Sequence, residues 1–134
     1  MLEDVRNGKL NGQMVWICDL RYDNYGDKPI RHIRPTKALV RDNKETTKNI
    51  YYSESHFVEL NKKDEPIKSK VHSVFDSTGF RSRTGTPLQV FNNEADCRKA
   101  YTSQVSVAIH GLENHKKSVV KTIDDKIEEL KNYV

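Results

Sequence analysis

From Asn92 to Val134 the chain runs without a proline and with one glycine, Gly111, and this stretch restricts the fold more than any other. Asn92 or Asn93 supplies the side-chain oxygen of an N-cap, and Glu94 and Asp96 place anions in the first turn, where the helix dipole favours them. Cys97, Tyr101, Val105, Ala108 and Leu112 follow at spacings of 4, 4, 3 and 4. Val120, Ile123, Ile127, Leu130 and Val134 follow at 3, 4, 3 and 4, a heptad-like seam. At 1.5 Å per residue a continuous helix over 92–134 is about 60 Å long, more than one small domain can cover. Its distal half therefore pairs with another copy, pairs with a partner, or folds back. Folding back places the break at Gly111, a left-handed C-cap, with "LENHKKS" leading into a second helix from Ser118. The alternative, one glycine inside a continuous helix, costs about 1 kcal/mol. The continuous helix is preferred, with Val120, Ile123, Ile127 and Leu130 as the self-association residues of a homodimer of the coiled-coil kind.

Before residue 92 the period is two rather than three to four. Asn7-Gly8 and Asn11-Gly12 supply turns with φ > 0, and the second leads into "QMVWICDLRY", where Met14, Trp16, Cys18, Leu20 and Tyr22 alternate with Gln13, Asp19 and Arg21. "IRHIRPTKALVRD" follows, with Pro35 expected at an edge or a bend, then "IYYSESHFVEL", "IKSKVHSVFD" and "PLQVF". Five or six short strands at this spacing predict an α+β chain: a small antiparallel β-barrel, SH3-like as first choice and OB-like as second, then the long C-terminal helix. The expected division is 1–91 for the β domain and 92–134 for the helical segment.

Charge separates the two parts as well. Residues 1–92 carry 16 Lys and Arg against 12 Asp and Glu, whereas residues 93–134 carry 7 against 7. The whole excess of +4 belongs to the first part, the candidate surface for a polyanion. The longest apolar runs are far short of the roughly 20 residues that span a bilayer, and the start does not read as a signal or transit peptide. Cys18 and Cys97 form no C-x-x-C pair and are too few for a disulfide scaffold, so the expected setting is a reducing cytoplasm without membrane attachment.

Two segments carry the candidate chemistry. The run "KPIRHIRPTKALVR" holds Lys28, Arg31, Arg34, Lys37 and Arg41 with no acid among them, and Lys68 and Lys70 could join it on one sheet face. "FDSTGFRSRTGTPLQVF" adds Phe80, Arg81 and Arg83 between Gly79 and Gly85. Its Asp76 is followed by Ser77 and Thr78 before Gly79, one residue out of step with the Asp-Thr-Gly turn of dimeric aspartic proteases. Nor do its glycines frame a P-loop, because Thr86 stands where the lysine is required and Pro87 follows. Backbone binding of DNA or RNA survives, with Arg31, Arg34, Lys37, Lys68, Lys70, Arg81 and Arg83 on phosphates and Tyr25, Tyr52 or Phe80 for stacking. His32, His56, His72, His110 and His115 lack metal spacing, so no metal, no cofactor and no catalytic residue is assigned, and the chain reads as non-enzymatic.

"VWICDLR", "IYYSESHFVELN" and "VFDSTGFRSRTGTPLQVFNNEADC" together resemble small proteins of tailed bacteriophages in which a short β region precedes a helical tail. The resemblance implies an accessory protein in the host cytoplasm that binds nucleic acid or host machinery, and it transfers no catalytic residue. Nucleic-acid binding is therefore the first expectation. The alternative is a protein-interaction module, an inhibitor or adaptor of a host protein acting through the helical tail or the barrel edge.

Overall fold

The computed structural model describes residues 1–22, 29–43, 55–74 and 88–134. In chain order these form α1 (Leu2–Arg6), β1 (Met14–Tyr22), β2 (Pro29–Asp42), β3 (Ser55–Leu60), β4 (Pro66–Ser73), β5 (Gln89–Phe91) and α2 (Glu94–Lys131). The strands make one antiparallel sheet in the order β4-β3-β2-β1-β5. The α+β class is as expected. The sheet is open, with β4 and β5 at its edges, and its ladders do not show the closure of an SH3-like or OB-like barrel. It does curl: the Leu88 N–H donates to the Val74 carbonyl at 2.9 Å, bringing the chain after β4 against the chain before β5. Both residues are buried in the core with Val5, Val15, Ile17, Ile33, Ala38, Val40 and Phe57.

β1 differs from the half-buried strand that alternation predicts. Its odd-numbered residues Val15 and Ile17 enter the core, on the face that also takes Val5 of α1. On the other face Met14 is exposed, but Cys18 is fully buried because α2 crosses there. The centre of β1 is thus covered on both sides, which alternation of hydrophobicity along one strand does not reveal. α1 was likewise not anticipated, being a single short turn region whose one buried side chain is Val5.

Pro35 sits in an inner strand rather than at an edge, and the bend it requires is a β-bulge. The β1–β2 ladder steps from Ile17↔Thr36 to Asp19↔Ile33, so Arg34 and Pro35 together oppose Cys18. Pairing with β3 begins only at Ala38, so the missing Pro35 N–H breaks no ladder on that side.

α2 begins at the expected cap. Asn93 Oδ1 accepts from the Asp96 N–H at 2.9 Å, and Arg98 donates to Glu94 at 2.8 Å one turn along. The helix then runs unbroken through Gly111, where a Cβ would meet nothing within 4 Å.

Candidate functional site

One polar cluster lies inside the curl. Asp19, 1 % exposed, accepts from Arg31 Nε at 2.6 Å and from Arg21 Nε and Nη2 at 3.1 and 3.2 Å. The two remaining Arg31 nitrogens donate to the Ser73 and Val74 carbonyls at 2.9 and 3.3 Å. These carbonyls lie where β4 ends, and Arg31 adds charge-assisted donors to them, the Val74 carbonyl also accepting from the Leu88 N–H. Asp19 faces both guanidinium groups, which fits a structural pin joining β1, β2 and β4.

A second set fastens α2 to β1. Cys18 Sγ donates to the Cys97 carbonyl at 3.7 Å, and both thiols are free and buried. Burial, and then the neighbouring Cys97, push the Cys18 thiol from 9.0 up to about 12. Burial also raises Cys97. Such thiols stay protonated and pack as small apolar groups rather than act as nucleophiles. Two turns further along α2, Gln104 Oε1 accepts the Leu20 N–H at 3.1 Å, beyond the Trp16–Cys18 stretch that β5 pairs. The Tyr101 hydroxyl and His32 Nε2 meet at 2.6 Å on the same face.

Two cations of the expected basic surface already have partners. Arg31 is engaged by Asp19 and two carbonyls, and Lys37 Nζ lies 3.0 Å from Asp64. Lys37 pairs with Trp16 on the face that carries α2, while Lys68 and Lys70 fall in the register shift of the β3–β4 ladder between Val58 and Leu60. Arg34, in the bulge, is exposed, as are Lys68 and Lys70. Phe80, Arg81 and Arg83, like Lys28, Tyr25 and Tyr52, lie outside the described residues. Of the eight nucleic-acid positions, five are described, and two of these, Arg31 and Lys37, already face carboxylates.

The expected self-association residues do gather. From Ile109 to Val134 every residue is exposed, so about 34 Å of α2 stands clear of the sheet. Val120, Ile123, Ile127 and Leu130 lie along it at 47 to 61 % exposure, with Leu112 and Val119 at 43 and 42 %. The same side of the helix, at Cys97, Tyr101, Val105 and Ala108, is buried or half-buried where the sheet covers it. Six large aliphatic side chains thus lie half-exposed along this part of the helix.

Sequence reasoning missed Asp19 and Gln104. The only signal for Asp19 was its place in the odd-numbered series with Val15 and Ile17, which marks a carboxylate aimed into a core. Gln104 carried no signal, because its role depends on where β5 stops. Among the described residues no cluster of His, Cys, Asp and Glu could hold a metal ion, and no helix is long and apolar enough to cross a membrane. Comparison with known protein families, with curated proteins and with solved structures finds no match to this chain.

Proposed function

We propose that this chain is a non-enzymatic protein-association module. The sheet is a rigid base, and the distal half of α2 is the docking element it holds out. The observation that carries this reading is the exposed aliphatic stripe on a helix whose proximal half is pinned by Cys97, Tyr101 and Gln104. Pinning one end removes much of the ordering cost that a free helical tail meets on binding. Each half-exposed Leu, Ile or Val gains a share of the roughly 1.5–3 kcal/mol that full burial of such a side chain is worth.

Binding of a nucleic-acid backbone is supported less, since Arg31 and Lys37 already face carboxylates. Co-purification after nuclease treatment separates the two readings. The wild-type chain should retain a protein, a second copy included, and the Ile123→Asp/Ile127→Asp variant should release it. Equal recovery on both chains overturns the reading, as does salt-sensitive retention of nucleic acid with no protein.

A further inference from the structure

The distal stripe has a period that the heptad description does not capture. With α2 continuous, Tyr101, Val105, Ala108, Leu112, Lys116, Val119, Ile123, Ile127 and Leu130 form one series at spacings of 4, 3, 4, 4, 3, 4, 4 and 3. That is an 11-residue repeat, about 3.67 residues per turn, which keeps a stripe nearly straight along a helix. At about 100° per residue, Leu112, Lys116, Val119, Ile127 and Leu130 all lie within about 40° of Ile123, and Val120 sits on the shoulder at about 60°. The series is also symmetric about Ile123: Val119 and Ile127 are four residues away, Lys116 and Leu130 seven.

We infer that the occupant of this stripe is a second copy of the chain, packed antiparallel across a two-fold axis at Ile123. The inference rests on the docking role proposed for the distal face and names its partner. A two-fold interface is self-complementary, and antiparallel register converts the symmetry of the stripe into matched layers. Ile123 meets the partner's Ile123, Val119 meets the partner's Ile127, and Lys116 meets the partner's Leu130. The Lys116 stem then lies on Leu130 while its ammonium reaches water. A parallel pair in register would instead set Lys116 against the partner's Lys116 inside the seam.

Charge along the helix agrees. Residues 113–121 carry Lys116, Lys117 and Lys121 against Glu113, while residues 124–131 carry Asp124, Asp125, Glu128 and Glu129 against Lys126 and Lys131. An antiparallel pair lays the basic half on the acidic half, bringing Lys117 beside the partner's Glu128 and Glu113 beside the partner's Lys131. A parallel pair superposes halves of like charge. Steric room points the same way. The sheet already occupies this side of α2 from Cys97 to Ala108, so a parallel partner's proximal helix and sheet would need the same space. In the antiparallel register residues 112–134 of the two helices lie against one another, clear of that stretch, and the two sheets end up at opposite ends of the rod.

Disulfide trapping of the full-length chain tests orientation and register together. Ile123→Cys chains should cross-link to one another under mild oxidation. Val119→Cys chains and Ile127→Cys chains should each stay uncross-linked alone and join when mixed and allowed to exchange. Self-cross-linking of Val119→Cys alone overturns the antiparallel register. A wild-type chain that scatters light as a monomer at every concentration overturns the second copy as occupant. The docking role itself then stands or falls by whether a different protein is retained by the wild type and released by Ile123→Asp/Ile127→Asp.

Discussion

Arg31 Nε lies 2.6 Å from Asp19 Oδ2, and the rest of that guanidinium holds the Ser73 and Val74 carbonyls, so one side chain of β2 ties β1 to the end of β4. The pair stands where the sheet curls, beside the Val74 carbonyl that also accepts from the Leu88 N–H. Replacing Asp19 with Ala strands Arg31 beside no counter-charge and should cost about 3–5 kcal/mol, the range for breaking a buried ion pair from one side. Urea unfolding measures it. The joint change Asp19→Leu/Arg31→Met should cost less than Asp19→Ala, and a larger loss would mean that the cluster has no such coupling.

Alkaline pH should weaken the α2–β1 contact. The Cys18 thiol is pushed up to about 12 and Cys97 is raised in the same direction, both first by burial. A pKa higher in the folded state gives stability that is complete below the unfolded thiol value, near 8.5–9. That stability is lost as pH rises from there towards 12. Urea midpoints taken from pH 8 to 11 should fall for the wild type and fall less for Cys18→Ala. At pH 8.5 iodoacetamide should label both thiols quickly in urea and slowly without it; equal rates would contradict their burial.

Gly111 tests the unbroken helix. Its surroundings are open, and its backbone is that of a helix interior. Gly111→Ala should therefore raise helix content and stabilise the distal segment by about 1 kcal/mol. Far-ultraviolet circular dichroism through a thermal ramp reads both. A fall in helicity would mean that the glycine serves a left-handed turn.

Much of this architecture was legible in the sequence. The change of period at Asn92 marked the sheet-to-helix boundary, and of the two caps the sequence offered, Asn92 and Asn93, the Asp96 N–H uses Asn93. The apolar spacing of Ile123, Ile127 and Leu130 marked the free face, because on one cylinder periodicity and position are the same information. What was not legible depended on neighbours distant in sequence. Val15 and Ile17 rather than Met14 and Trp16 enter the core because α1 and the curled edge lie on their side. Arg31 read as a free cation until the fold set it on Asp19, and Lys37 until Asp64 met it. Charge counts along a chain cannot tell a surface cation from one that is already paired.

The central claim, that the distal face of α2 takes a second copy, is tested most directly by molar mass from light scattering across a concentration series. The wild-type chain should weigh as two chains of 15.5 kDa each, and Ile123→Asp/Ile127→Asp as one with its sheet still folded. A wild-type mass of one chain at every concentration, unchanged by the substitutions, would contradict it.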